Sequence, residues 1–292
     1  MTGIQWTGSG DRSALVAIAL MVLVAIFNAV DAVIVRLLSP DVHPFVIGFT
    51  RASFGLLVLL PWILNRPTIL RSNYILGHVV RAILKLGSLV AFFAAFAVAP
   101  LAEVTAIAFA APIFLTVGAW LFLAERPRSL RIIAVLVGFA GVLIVLRPGS
   151  EFSGIEGFLL ALLGAVLIAF SHLVLKSMSA RDSTETLVAW NLILTVPIAA
   201  VPAIIFWENP TSWQWGLLAV QGAMGALNMG LITKAFSLAE ASFIAPIDFL
   251  RLPIVAGLAF VLFNQSVPMT TWLGGAAIFG ASLLMAQSAR RR

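Results

Sequence analysis

The stretch Phe96–Val145, FAVAPLAEVTAIAFAAPIFLTVGAWLFLAERPRSLRIIAVLVGFAGVLIV, reads as two apolar spans joined by the charged turn Glu125-Arg126-Pro127-Arg128. A second stretch, Phe236–Met285, FSLAEASFIAPIDFLRLPIVAGLAFVLFNQSVPMTTWLGGAAIFGASLLM, repeats it 140 residues later. Phe96 matches Phe236 and Ala99 matches Ala239; with one residue inserted, Pro112 matches Pro253 and Pro127 matches Pro268. A repeat at half the chain length points to two related units, expected over residues 1–149 and 150–292.

Working outward, hydrophobic residues make up 61% of the 292 and charged residues 10%, with a mean hydropathy of +1.08. A soluble domain carries about 25% charged residues, so the composition is that of an integral membrane protein. The net charge of +6 sits largely in short loops, where positive charge sets topology. The expected surroundings are therefore a lipid bilayer, not nucleic acid. Cysteine is absent, which removes disulfides and thiolate metal sites. The first apolar span exceeds the length of a signal-peptide core and reads as a transmembrane helix.

About 20 apolar residues cross the hydrocarbon core. Ten such spans fall near 14–36, 44–64, 74–97, 101–124, 130–146, 155–176, 184–206, 213–236, 241–263 and 270–288. Five spans per unit is an odd number, so the second unit enters the membrane inverted. The charges agree. Arg66, Arg71, Arg126, Arg128 and Arg131 follow spans two and four, whereas the matching loops, Trp207-Glu208-Asn209-Pro210 and Phe263-Asn264-Gln265-Ser266, carry no Lys or Arg. The expected architecture is all-α, ten transmembrane helices in two inverted five-helix repeats, with both termini cytoplasmic. Arg36 and Arg147 fall on the opposite side, against the rule.

Ala110-Ala111-Pro112, then Leu121 to Pro127, then Gly138-Phe139-Ala140-Gly141-Val142-Leu143, carry a resemblance to the drug/metabolite transporter superfamily, in its ten-span form of two EamA repeats. In the second copy Ser266 stands where Glu125 stands. The resemblance implies a substrate cavity lined by spans one, three, four, six, eight and nine, with five and ten peripheral. It is nearest in overall pattern to the YddG-type exporters of aromatic amino acids, which implies export from an inner membrane.

Ionisable groups at membrane depth are costly facing lipid and belong against a cavity or a partner. His78, Arg81 and Lys85, spaced i, i+3, i+7, share one face of span three, a candidate cradle for a substrate carboxylate. Asp248 and Arg251, between Pro246 and Pro253, are expected to neutralise each other, with direct substrate contact as the other reading. Asn28 and Asn228 are pocket candidates. Asp31, Glu103, Pro112, Pro246 and Pro253 are candidates for gating or coupling. Arg51, in a span the resemblance makes peripheral, is expected in an ion pair, and His172 at the cytoplasmic surface. Small residues at Gly138, Gly141, Ala276 and Gly280 mark helix contacts in spans five and ten.

His43, His78 and His172 are far apart in sequence, and there is no phosphate-binding glycine loop and no nucleophile motif. No enzyme activity, cofactor or metal is expected. The function expected is alternating-access transport of a small molecule between two rocking halves, amino acids foremost, a single chain sufficing. A proton-coupled drug or metabolite carrier, or a pore, is the alternative.

Overall fold

The structure, a computed structural model, describes residues 8–122, 129–146, 155–178, 182–238 and 245–290. The described elements are all helical: α1 Gly8–Leu38, α2 Pro44–Leu64, α3 Ile75–Val98, α4 Leu101–Ala108, α5 Ala111–Phe122, α6 Ser129–Leu146, α7 Ile155–Met178, α8 Thr184–Ile205, α9 Ser212–Leu238, α10 Arg251–Phe263 and α11 Met269–Arg290. Short 3-10 turns stand at Pro67–Leu70 and Ala245–Leu250. Six helices, α1, α2, α3, α7, α8 and α9, are each long and apolar enough to cross a membrane. With α6, α11 and two composite spans they make ten crossings, in a membrane protein of two repeats.

The spans expected over 101–124 and 241–263 are each composite rather than a single helix. The fourth is α4 followed by α5, joined through Phe109 and Ala110 by bonds to the third residue back: Phe109 N–H to Ala106 O at 3.3 Å and Ala110 N–H to Ile107 O at 2.9 Å. Pro112, second in α5, has no N–H to offer Ala108, where α4 ends. The ninth span is the 3-10 turn Ala245–Leu250 followed by α10, whose third residue is Pro253. The matched prolines thus lie just beyond matched breaks. Loop residues Glu125 to Arg128 and Arg147 lie outside the described residues, as do the side chains of Pro112 and Pro246.

Packing follows a two-fold pattern that crosses the sequence halves. Helix α3 packs most heavily on α7, and α1 on α9; α3 meets α8 as α9 meets α2; α5 meets α7 as α10 meets α1. Each contact is the symmetry mate of the next. The result is two interleaved bundles, one of α3, α4, α5, α7 and α8, the other of α1, α2, α9 and α10 with its 3-10 turn. Helices α2 and α8 meet on the axis, and so do α6 and α11.

Close packing of α6 on α11 depends on two glycines. A Cβ at Gly141 would lie 2.8 Å from Gly274 O, and one at Gly274 2.6 Å from Gly141 O. Without a hydrophobic drive between helices in lipid, such backbone approach supplies the dispersion contact that holds them. The expected Ala276 and Gly280 face is corrected: a Cβ at Gly280 meets nothing within 4 Å, and Ala276 is exposed.

Candidate functional site

Between the two bundles lies a cavity of about 1130 Å³. Its walls come from α1, α2, α3, α4, α7, α8, α9 and the first residue of α10, while α6 and α11 stay outside it. Spans two and seven are therefore part of the wall: span two is corrected from its expected peripheral place, and span seven adds to the expected lining.

The chemistry of the wall is lopsided. Arg51, Arg81, Lys85 and Arg251 line it together with His172, and Asp31 is its one acid among the described residues. Asp31 is already taken: Arg51 Nη1 forms an ion pair with Asp31 Oδ1. The Arg51 guanidinium also lies 5.9 Å from the centroid of the Phe93 ring. A Cβ at Gly225 would stand 3.3 Å from Arg51 Nη2, so the absence of a side chain there makes the room Arg51 occupies. Asp31, expected as a gate or coupling group, is thus the partner of Arg51. His172, expected at the membrane surface, faces the cavity instead.

The basic face of α3 divides. Lys85 Nζ donates to Asn191 Oδ1 of α8 at 3.0 Å. Arg81 Nη1 donates to Leu187 O at 2.7 Å, and its Nε is buried without a partner. His78 leaves the cavity set. It is 1% exposed, its Nε2 lies 2.9 Å from Asp182 Oδ2 and 3.1 Å from Ser72 Oγ, and Trp190 stacks on its ring. Arg81, Lys85 and Arg251 form none of the described ion pairs. In lipid surroundings an uncompensated cation is costly, and a neutral amide is all that Lys85 is offered.

Asn28, Asn228 and Asp248 come together. Asn228 Nδ2 donates to Asn28 Oδ1 at 2.7 Å, and Asn28 Nδ2 donates to Asp248 Oδ1 at 3.4 Å. Both asparagines line the cavity and Asp248 stands behind them. The pair expected between Asp248 and Arg251 is not among the described ion pairs. The helix break separates them: Asp248 ends in the 3-10 turn facing α1, and Arg251, starting α10, lies 4.7 Å over the Phe109 ring. That ring belongs to the break in the fourth span, so the two breaks meet at the cavity through a cation–π contact. Glu103 sits in the first turn of α4, where a negative charge suits the helix dipole, outside the cavity wall. Pro253 is exposed and also off the wall. No group of three or more His, Asp or Glu set to hold a metal ion occurs among the described residues.

In the sequence Asn191 reads as a hydrogen-bonding group between helices but not as a cavity residue; the Phe92 and Phe96 shelf and Phe109 as the ring under Arg251 were missed. Asn191 pairs with a residue 106 positions away, and no local spacing signals that.

The sequence profile described as the EamA-like transporter family matches residues 15–147 and again 155–287. This chain belongs to the EamA-like transporter family. Among its relatives, the "Riboflavin transporter" of Rhizobium johnstonii is 31% identical over 247 residues, covering 84% of this chain and 82% of the relative. The "S-adenosylmethionine uptake transporter" of Rickettsia bellii is 27% identical over 277 residues, covering 94% and 95%. The "Pseudopaline exporter CntI" of Pseudomonas aeruginosa is 26% identical over 276 residues, covering 93% and 96%. A solved crystal structure superposes with a TM-score of 0.62 at 20% identity, covering 98% of this chain and 99% of the other, a likeness of fold. The EamA protein is thus a multi-pass inner-membrane transporter of small metabolites and not an enzyme. The expected likeness to aromatic amino-acid exporters is not what these relatives' names carry.

Proposed function

We propose that this EamA transporter carries a metabolite with an amino-acid head group and a larger apolar or aromatic body, by alternating access. The single observation that supports this most is the pair of opposed polar walls. Lys85, a cation offered only an amide, is a receptor for a carboxylate, a charge-assisted contact about twice as strong as a neutral one. Across the cavity, the acceptors of Asn28 and Asn228, backed by Asp248, suit an ammonium group. The Phe92 and Phe96 rings supply an apolar shelf.

Size refines the amino-acid expectation. A volume of about 1130 Å³ exceeds the ~300–1,000 Å³ of clefts that take drug-sized ligands. It suits a body of nucleoside or flavin size better than a free amino acid. S-adenosylmethionine, named for one relative, has both an amino-acid head and such a body. Export, the direction the family resemblance implies, is supported by the larger cross-bundle apolar clusters lying at the side opposite the basic loops, where α1 packs with α3, α4 and α10.

The test is counterflow in proteoliposomes with labelled S-adenosylmethionine, phenylalanine and riboflavin, for the parent and for Lys85→Ala. The expected result is saturable exchange strongest for the larger amino-acid compound and lost in Lys85→Ala, with the variant still folded. Exchange of riboflavin alone, insensitive to Lys85→Ala, would contradict the head-group reading.

A further inference from the structure

We propose that Arg36, with Gln265, is the gate on the side of the membrane opposite the basic loops. Its guanidinium latches the α3–α4 corner of one bundle to the other bundle, and must release it for the cavity to open on that side. The proposal rests on the alternating-access reading but not on any choice of substrate.

Arg36 is a residue the charge rule leaves unexplained. It stands in the last turn of α1, at the membrane face where loops are otherwise nearly free of Lys and Arg. The structure gives it other work. Arg36 Nη1 donates to Phe96 O at 2.7 Å and to Ala97 O at 2.5 Å. These carbonyls are among the last four of α3, which have no partner within the helix, and the negative end of the helix dipole favours a cation there.

A second contact grips the same corner a few residues on. Leu101 N–H, the first of α4, donates to Gln265 Oε1 at 3.2 Å. Gln265 is delivered by the end of α10. Asn264 adopts a left-handed conformation with φ of 53°, its N–H bonds Phe260 O, and the Gln265 N–H bonds Ala259 O at 3.1 Å. The chain turns sharply there and Gln265 reaches across.

Both contacts join the two bundles, since Arg36 and Gln265 belong to the α1 and α10 side and residues 96–101 to the α3 and α4 side. Phe96 also lines the cavity, so releasing the corner moves a cavity wall. Apolar packing adds to the hold at the Arg36 side. At the Arg36 side, Ala29, Ala32 and Val33 of α1 pack with Leu101 of α4 and Val255 and Ala259 of α10. At the basic-loop side, Ala17, Met21 and Val24 pack with Ala235 of α9 within a single bundle, and the bundles touch through Ile63 of α2 and Ala189 of α8 on the axis. The repeat itself pairs the device: Lys176 follows Arg36 by 140 residues, as Phe236 follows Phe96. An inverted repeat thus sets a basic residue at the mated position for the opposite face.

The chain has no cysteine, so Ala108→Cys, on the cavity wall, supplies a single thiol. The probe is a charged, membrane-impermeant maleimide applied from either side of oriented membrane vesicles. Loss of the charge-assisted bonds in Arg36→Gln is expected to raise labelling from the Arg36 side about tenfold. Labelling from the basic-loop side should stay level or fall, and Arg36→Lys should lie between parent and Arg36→Gln. Gln265→Leu keeps the arginine and should shift labelling the same way by less, so it carries the test if Arg36→Gln does not insert. Parental labelling from the Arg36 side in both variants overturns the gate. So does an equal rise from both sides, which general loosening would produce. No transported compound enters the measurement, so its failure is distinct from a failed substrate assignment.

Discussion

Among the described residues, three arginines, one lysine and one carboxylate share the cavity wall, and the carboxylate is spoken for by Arg51. This imbalance makes Lys85 the residue on which recognition turns. A matched pair of competitors isolates it: methionine and methioninamide differ in the carboxylate alone. In the parent the carboxylate form should compete about ten- to a hundredfold better, the worth of one charge-assisted bond, and Lys85→Met should erase the difference. The Asp31–Arg51 pair makes the opposite kind of prediction. Asp31→Asn leaves a half-buried guanidinium without its counter-charge, and thermal unfolding in detergent should register a loss of roughly 1–3 kcal/mol. Replacing both residues with Leu should recover most of it, because an apolar pair of similar volume removes the uncompensated charge.

At the scale of elements, helix contact here is made by small residues and span breaks by proline. Gly141 and Gly274 bring the backbones of α6 and α11 together, so Gly141→Leu has nowhere to go but into Gly274 O. We expect it to cost about 1–3 kcal/mol or more of stability, read as a lower melting temperature of the purified protein. Gly280→Ala, which meets open space, should leave melting unchanged. Ten spans, their inversion and the break-forming prolines were legible in the sequence, because length, loop charge and missing N–H groups are local properties. Which face of each span meets protein was not. Lipid and packed helix are equally apolar, so Gly280 and Gly274 look alike in the sequence and only one is a contact. Lys85 was legible as a cavity candidate from its spacing with Arg81, but His78 on the same face was not separable from them. Its partner Asp182 lies 104 residues away, in a loop whose position depends on the assembled bundle. The broken ninth span had a similar effect on Asp248 and Arg251. Three residues apart on a continuous helix they would be neighbours, and the change from 3-10 turn to α-helix sends them to different partners.

For the whole molecule, the sequence halves are not the packing units. The expected rocking units are the two halves, whereas the packing groups the helices into two interleaved bundles, each drawing helices from both repeats. The cavity between them is where an alternating-access carrier would hold its cargo. Spin labels separate the two pictures. Leu15 and Leu76 are exposed, belong to the same half and sit in different bundles; Leu76 and Ser177 belong to different halves and share one bundle. Double electron–electron resonance on these two cysteine pairs in lipid nanodiscs, with and without S-adenosylmethionine, is the most direct measurement. The interleaved-bundle account predicts that the Leu15–Leu76 distance broadens or shifts while the Leu76–Ser177 distance stays fixed. A fixed Leu15–Leu76 distance with a mobile Leu76–Ser177 distance would contradict it and restore the halves as the moving units.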